Sequence, residues 1–203
     1  MTASTHDRLV EEGMRLFAAQ GYRATTVADI QHACGLAAGS GALYKHFTSK
    51  QDLLEQGMRR FLADLEASGR RVLDTLPSEP RAALGAICDG VWSTMAGQSA
   101  ANRIILRDLE QFPELLDEVW TRLVGAVYAE LTDWLRAQRD HGNLEVVDPQ
   151  ATAAVLLSSL TYHRLLGDLI GRAPGDVEPE TFANAWIDHA VATLGLARPV
   201  GHE

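Results

Sequence analysis

TTVADIQHACGLAAGSGALYKHFTSK, residues 25–50, is the stretch whose pattern decides the fold. Thr26 followed three positions later by Asp29 has the spacing of a capping box, which predicts the start of a helix. The apolar positions of this helix recur at helical spacing and are Val27, Ile30 and Cys34. Gly35 predicts its end, because a residue with positive φ is favoured there. A second helix is predicted from about Ala38, after a short turn.

The second predicted helix is rich in small residues. Glycine costs about 1 kcal/mol relative to alanine inside a helix, so residues 38–42 are a poor choice for helix stability alone. A surface that approaches another molecule closely explains them, and the donors of Tyr44, Lys45 and His46 suit phosphate oxygens. Such a helix pair can place its second helix in the DNA major groove. From spacing alone, an ordinary helical hairpin with a loose second helix fits equally well.

Residues 8–62 resemble the N-terminal domain of the TetR family of transcriptional regulators. The resemblance is carried by RLVEEGMRLFAAQGYRATTVADIQHACGL and GALYKHFTSKQDLLEQGM. The positions that match the family pattern are Phe17, Gly21, Tyr22, Thr25, Thr26, Leu43, Tyr44, His46, Phe47, Ser49 and Lys50. The segment LAAGSGALY is two residues longer between the turn glycine and the tyrosine than the commonest family form. Which of residues 37–42 reach bases therefore stays open.

The resemblance, and the donors that flank the second helix, imply two sets of DNA-binding residues. The expected phosphate contacts are Thr25, Thr26, Tyr44, His46 and Lys50. The expected base contacts are Ala38, Ser40, Ala42 and Lys45. Lysine to guanine and methyl groups to thymine are the corresponding modes of base recognition. The alternatives are that Tyr44 packs on the three-helix core and that Lys50 caps a solvated turn.

The charge distribution permits DNA binding, although the net charge is −9 over 203 residues. Residues 1–60 hold 7 basic and 6 acidic side chains, a net charge of +1. Residues 61–203 hold the other 11 basic and 21 acidic side chains, a net charge of −10. The acidity therefore lies away from the predicted DNA-binding residues, where it can orient the protein on DNA.

Other classes of protein find little support. The sequence has no secretion signal and no run of 18 apolar residues, which predicts a soluble cytoplasmic protein. Cys34 and Cys88 lack metal-ligand spacing, so we expect two small core residues and no cofactor. An enzyme would need convergent groups, and no HExxH, GxSxG or phosphate-binding loop is present. A metal site or a purely structural helical adaptor are the remaining alternatives, and the match across residues 8–62 makes both weaker than a regulator.

Helical spacing along the rest of the chain predicts an all-α fold with about nine helices. We expect a three-helix helix-turn-helix DNA-binding domain (residues 1–50, motif about 27–46). A long helix joins it to a ligand-binding and dimerisation domain (residues 51–203). The other predicted helices are Ser4 or Thr5 to Gln20, then 50–76, 80–98, 100–111, 113–140, 149–171 and 179–195.

For the second domain the resemblance implies an effector-binding region and a homodimer formed through helices 149–171 and 179–195. The double-stranded operator would then be near-palindromic, and a small apolar or amphipathic effector would release the repressor by tilting helix 50–76. The candidate wall residues of the ligand site are Trp92, Met95, Leu106, Leu109, Phe112, Trp120, Leu123, Val127, Tyr162 and His163. Plain core packing is the alternative for each. A cationic ligand using Asp108, Glu110 or Asp117 also stays open, although a solvated face explains these acids equally well. So does a corepressor instead of a releasing effector.

Overall fold

The structure is a computed structural model that describes residues 4–37, 41–73 and 75–196, without the side chains of residues 68–73. Within these ranges all regular secondary structure is helical, which confirms the predicted all-α class. The α-helices are α1 (Thr5–Gln20), α2 (Val27–Ala33), α3 (Lys50–Leu73), α4 (Pro80–Ala96), α5 (Ser99–Asp108), α6 (Pro113–Val119), α7 (Ala126–Asp140), α8 (Pro149–Ile170) and α9 (Pro179–Thr193). The chain forms two compact units, the first within residues 1–65 and 98–120 and the second within residues 66–97 and 121–203.

The ends of α1 and α2 are set by local hydrogen bonds that the sequence predicts. The Ser4 hydroxyl accepts a hydrogen bond from the Asp7 N–H at 3.1 Å, and Gly21 ends α1 with φ 99°. At α2 the Thr26 hydroxyl accepts from the Asp29 N–H at 3.1 Å, while the Asp29 carboxylate accepts from the Thr26 N–H at 2.8 Å. This reciprocal pair is the predicted capping box, which satisfies backbone donors that a helix start leaves unpaired.

The second helix of the motif differs from the prediction. Residues 38–40 lie outside the described part of the chain, Gly41 has φ 65°, and Leu43–Lys45 form a 3₁₀ turn. A residue in the left-handed region cannot lie inside a right-handed helix, so no single helix runs from residue 38 to 47. That prediction is wrong. Leu43 and Phe47 are nevertheless buried, so they anchor the 3₁₀ turn to the first unit.

The start of α3 is capped by two local hydrogen bonds. The Ser49 hydroxyl accepts from the Asp52 N–H at 3.0 Å, and the Asp52 carboxylate accepts from the Thr48 N–H at 2.8 Å. The helix has 24 residues and ends at Leu73, three residues before the predicted end. Its buried face in the first unit consists of Leu53, Leu54, Met58, Phe61 and Leu62.

The segment from α5 to α6 belongs to the first unit, where α5 packs against α1. The Arg107 guanidinium donates to the backbone carbonyls of Phe17 and Ala18, in the last turn of α1. The Asp108 carboxylate accepts from the backbone N–H of Tyr22 at 3.3 Å. The two compact units therefore do not coincide with a division of the chain between residues 50 and 51.

The helix predicted from Pro113 to Asp140 is present with these bounds, but it is not α-helical throughout. Residues Trp120–Gly125 form a π-helical segment between α6 and α7. Apolar residues recur every four positions from Val119 to Leu135. At 3.6 residues per turn, each interval of four residues rotates the next apolar side chain by about 40° around the helix axis. The π-helical segment has more residues per turn, so it rotates the apolar side chains back toward one face.

The second unit is built from α4, α7, α8 and α9, with α8 in contact with the other three. Asp148 caps α8, accepting from the N–H groups of Gln150 and Ala151 at 3.0 Å. Trp186 of α9 is buried against α8 and donates its indole N–H to the Leu156 carbonyl at 3.0 Å. The core residues are Leu84, Ile87, Cys88, Leu131, Leu135, Leu144, Val146, Ala153, Leu156, Leu157, Leu160, Trp186, Ala190 and Leu194.

Candidate nucleic-acid interface and ligand-binding residues

The 3₁₀ turn that follows Gly41 presents three consecutive polar side chains to solvent. Tyr44 is 61% exposed, and Lys45 and His46 are exposed as well. The buried residues Leu43 and Phe47 flank them and fix the turn on the first unit. A phenol, an ammonium and an imidazole held side by side can donate hydrogen bonds to phosphate oxygens or to base edges. The exposure of Tyr44 favours the predicted DNA contact over packing on the core.

Lys45 has a free ammonium group. Among the lysines and arginines in the described part of residues 4–65, Lys45 is the one whose side chain makes no hydrogen bond or ion pair with the protein. The basic residues there that do bond to protein groups are Arg8, Arg15, Arg23, Lys50, Arg59 and Arg60. Lys45 can therefore neutralise a phosphate without giving up an internal bond.

Three of the predicted base contacts are small residues at or before the turn. Ala38 and Ser40 lie outside the described residues, so their predicted role stays a prediction. Ala42 is half-buried directly before the 3₁₀ turn. Its methyl group remains a candidate for contact with thymine.

Thr25 and Thr26 differ in their accessibility. The Thr25 side chain is fully buried, and its hydroxyl donates to the Gly21 carbonyl at 2.8 Å. The predicted phosphate contact of Thr25 therefore needs correction, because burial removes that hydroxyl from any DNA surface. Thr26 is exposed, but its hydroxyl is engaged with Asp29 in the cap of α2. Hydrogen bonds from Thr26 hold the pKa of the Asp29 carboxyl below its usual value, so the cap is charged at neutral pH.

Lys50 is the predicted phosphate contact with the strongest internal bonds. Its ammonium donates to the carbonyls of Tyr22 and Thr25, both at 2.8 Å, and lies 4.1 Å from the centre of the Tyr22 ring. Burial lowers the pKa of this ammonium. Lys50 thus fastens the start of α3 to the connection between α1 and α2, and one of its three N–H donors remains for a phosphate.

Tyr22 links several elements of the first unit. Its N–H binds Asp108, its carbonyl binds Lys50, and its ring packs edge-on against Phe112 at 4.8 Å and lies 5.3 Å from the Phe17 ring. Burial, with a smaller effect of nearby carboxylate charge, raises the pKa of the Tyr22 phenol. The contact with Asp108 spans 86 positions and has no signal in the sequence, where Asp108 was a candidate for a cationic ligand. Because Asp108 is buried against Tyr22 and Arg107, its role is internal.

The ten predicted ligand-binding residues are divided between the two units. Those in the first unit are Leu106, Leu109, Phe112 and Trp120. Those in the second unit are Trp92, Met95, Leu123, Val127, Tyr162 and His163. Leu109 is fully buried and Phe112 packs on Tyr22, so both contribute to the packing of the first unit, whereas Leu106, Trp120 and Tyr162 are exposed.

Trp92 and His163 are brought together with Phe182, which was not among the predicted residues. The His163 ring stacks on Phe182 with centroids 3.9 Å apart and an interplanar angle of 18°. Trp92 lies 5.9 Å from His163 and 6.0 Å from Phe182, with angles of 13° and 25°. The three rings are therefore nearly parallel. Phe182 could have been found from its helical register with Trp186 on α9.

Other kinds of site find no groups in the part of the chain that the structure describes. No set of three or more His, Cys, Asp or Glu residues is arranged to hold a metal ion there. None of the described helices is long and apolar enough to cross a bilayer. The two cysteines are buried thiols, and burial raises the pKa of Cys88 to about 11, which keeps that thiol protonated at neutral pH.

Two family models match this chain. Residues 9–56 match bacterial regulatory proteins of the tetR family, and residues 82–195 match the C-terminal domain of AefR-like transcriptional repressors. The first match contains α2, the 3₁₀ turn and the start of α3, and the second contains the Trp92, His163 and Phe182 rings.

Individual relatives agree with this assignment. The chain is 41% identical over 76 residues to the transcriptional repressor KstR2 of Mycolicibacterium smegmatis, a match that covers 37% of this chain and 36% of that protein. It is 33% identical over 124 residues to the transcriptional regulator TcmR of Streptomyces glaucescens, which covers 58% and 53%. The chain thus spans about a third to a half of the length of these curated relatives.

A solved structure shows the same fold over almost the whole chain. The TetR family regulator PfmR of Thermus thermophilus superposes with a TM-score of 0.71 at 23% identity, covering 97% of this chain and 99% of that one. The structure and the two family models, which cover most of the sequence, lead to one assignment: this chain belongs to the TetR family of bacterial regulatory proteins, whose members are transcriptional regulators and not enzymes.

Proposed function

We propose that this chain is a sequence-specific transcriptional repressor that binds a near-palindromic operator as a homodimer and leaves it when a small apolar or amphipathic effector binds. The observation that carries this proposal is the row of exposed donors Tyr44, Lys45 and His46, held in place by buried Leu43 and Phe47. Donors on a fixed turn after α2 suit the major groove, where orientation decides which bases can be read.

The proposed DNA contacts divide into two groups by their geometry. Tyr44 and His46 are exposed hydrogen-bond donors that suit phosphates, which position the protein without reading sequence. Lys45 has the free charge and can bind either a phosphate or the O6 and N7 atoms of guanine. Lys50 contributes indirectly, because it holds the turn and α3 on the connection between α1 and α2.

The proposed homodimer uses α8 and α9. Val155, Tyr162 and Ile170 of α8 are 64%, 58% and 66% exposed. At 3.6 residues per turn these three side chains lie within about 80° of each other around the helix, so they form one apolar stripe. A two-fold axis through this stripe would bury it against the same stripe of a partner. A dimer that reads a near-palindromic operator must bring the two copies of the turn at residues 43–45 to successive major grooves, about 34–36 Å apart.

Effector response requires that the ligand-binding region influences the DNA-binding helices. The segment from α5 to α6 lies within the C-terminal domain of the family match, yet it packs in the first unit. There Arg107 and Asp108 bind the end of α1 and the backbone of Tyr22. A tenfold change in operator affinity needs a coupling free energy of only about 1.4 kcal/mol, which is comparable to one such hydrogen bond.

The first test is selection of bound sequences from a pool of random duplex DNA at near-physiological salt, with purified wild-type protein. Recovery of a palindrome with half-sites about one helical turn apart is expected. The selection is repeated with a small-molecule extract of bacterial cells, since enrichment seen only then identifies a corepressor and reverses the proposed sign of the effector. No enrichment under either condition would refute sequence-specific binding.

Lys45→Met tests the role of the free ammonium on the selected operator. The slope of log operator-binding constant against log salt concentration is negative. If Lys45 neutralises one phosphate in each protomer, the magnitude of this slope is expected to decrease by about 2 for the dimer. Arg15→Met is the matched control, because it removes the same charge from an exposed residue of α1 that is paired with Glu12. An equal loss of slope in both variants would show that only net charge matters.

A further inference from the structure

His163 carries an unpaired polar atom in the interior of the second unit. Its side chain lies on α8, the residue is 4% exposed, and its Nε2 atom has no hydrogen-bond partner among the described residues. Buried side-chain nitrogen atoms in folded proteins are almost always paired, because an unpaired one has lost its water without compensation. A partner outside the described residues is therefore expected at Nε2.

The neighbours of His163 restrict what that partner can be. Phe182 covers one face of the imidazole at 3.9 Å, and Trp92 lies nearly parallel to both rings. The Trp92 indole N–H already donates to the Leu160 carbonyl at 3.1 Å, so it does not compete for a ligand. The described ring neighbours of His163 are thus aromatic, and Nε2 is its buried atom without a partner.

These surroundings select for a neutral hydroxyl group on a flat ring system. A charged carboxylate would have to lose its hydration beside three aromatic rings, which is strongly unfavourable without a countercharge. A hydroxyl can both donate and accept, so it pairs with Nε2 whichever imidazole nitrogen carries the proton. Aromatic groups bind best in offset-stacked or edge-to-face arrangements, and the nearly parallel rings of Trp92 and Phe182 can make such contacts with a planar molecule beside them.

We propose that the second unit binds a neutral, planar, hydroxylated aromatic molecule whose hydroxyl hydrogen-bonds to His163 Nε2 and whose ring lies beside Trp92 and Phe182. The proposal rests on the proposed function in one respect, namely that the second unit binds the effector. It adds the chemical class of the ligand and the atom that recognises it.

The test compares three probes that share one ring system. Equilibrium dialysis measures the affinity of the full chain for 2-naphthol, for naphthalene and for 2-naphthoate. The wild-type protein is expected to bind 2-naphthol about tenfold more tightly than either of the others, because one hydrogen bond is gained and no charge is buried. Equal affinity for all three, or a preference for 2-naphthoate, would overturn the proposal.

His163→Phe removes Nε2 and keeps a planar ring beside the same two neighbours. The tenfold preference for 2-naphthol over naphthalene is expected to fall to about one, with naphthalene binding retained. His189→Phe is the matched control, because His189 is an exposed histidine of α9 outside the ring cluster, and it should keep the full preference. A preference that survives in His163→Phe would rule out Nε2 as the recognising atom.

A measurement on the wild-type protein covers the case in which His163→Phe does not fold. With ¹⁵N-labelled histidine, 2-naphthol should shift the resonance of one solvent-protected imidazole nitrogen, and naphthalene should leave it in place. No such difference would refute the hydrogen bond. The DNA selection described above is independent of these probes, so a failed probe experiment with a recovered palindrome would refute the ligand class and leave the repressor intact. Selective binding of 2-naphthol without enrichment of any DNA sequence would refute the repressor function and leave the ligand class intact.

Discussion

Gly41→Ala is expected to destabilise the protein by about 1 kcal/mol. Gly41 has φ 65°, and a methyl group built on its backbone meets no atom within 4 Å, so the effect comes from the backbone alone. Holding an L-residue in the left-handed region costs about 1–2 kcal/mol. Alanine also restricts the unfolded chain, which returns about 0.4–1 kcal/mol. The net loss is therefore about 1 kcal/mol.

The sign of this effect separates two backbone paths for the helix-turn-helix motif. If residues 38–47 formed one helix, Gly41→Ala would replace a helical glycine by alanine and stabilise the protein by about 1 kcal/mol. The two paths thus differ by about 2 kcal/mol in the free energy of unfolding. That difference is well above the uncertainty of comparing urea midpoints between variants.

The assay is urea unfolding followed by far-ultraviolet circular dichroism, with two control variants. Gly35→Ala calibrates the cost of a positive φ, because Gly35 has φ 67° and equally open space. Gly97→Ala is the second control, since Gly97 also lies in open space but has φ −84°. If Gly41→Ala raised the midpoint while Gly35→Ala lowered it, the left-handed turn before Leu43 would be refuted.

Three further variants test the contacts described above. Lys50→Met removes two bonds from a charged donor to backbone carbonyls and should lower the free energy of unfolding by about 2–3 kcal/mol in urea titrations; a loss below about 0.5 kcal/mol would contradict its anchoring role. The pKa of Asp52 is lowered mainly by a hydrogen bond from Gln56. The charged Asp52 carboxylate therefore stabilises the fold above the unfolded-state pKa of 3.8, and this stabilisation is lost as pH falls through the lower folded-state pKa. The Asp52→Asn variant should therefore have a lower melting temperature than wild type at pH 7 and the same melting temperature near pH 2. A difference in melting temperature that is constant with pH would argue against the charged cap. Trp186→Phe should cost about 1–2 kcal/mol through the lost bond to the Leu156 carbonyl, and an unchanged urea midpoint would show that this bond contributes nothing net.

The features that the sequence predicts well are those fixed by neighbours a few positions apart. The capping box at Thr26 and the caps at Ser49 and Asp148 need only the identity of a residue and of one or two that follow it. Of the apolar stripe predicted for α2, Ile30 and Cys34 are buried and Val27 is half-buried. The family resemblance added what periodicity could not supply, namely the expectation that the turn at Tyr44 faces DNA.

Features that depend on backbone detail or on distant residues were missed. The spacing of Leu43 and Phe47 fits a helix and a 3₁₀ turn equally well, and only the φ of Gly41 separates them. The π segment leaves a weak signal, the spacing of four from Val119 to Leu135, which is visible once the drift of a straight α-helix is considered. The burial of Thr25 has no such signal, because a threonine in a turn is accessible in most proteins.

Tyr22 connects α5 to the start of α3 within the first unit, which supports the proposed response to an effector. Its N–H is bound by Asp108 of α5, and its carbonyl, with that of Thr25, binds Lys50 at the first position of α3. A displacement of α5 therefore moves a backbone segment that also determines where α3 begins. The start of α3 follows the exposed donors of the 3₁₀ turn by only a few residues, so a shift too small to disrupt the fold would reorient the groups proposed to bind DNA. An interface of two symmetric copies is sensitive to such a shift, because both turns must meet the grooves at once.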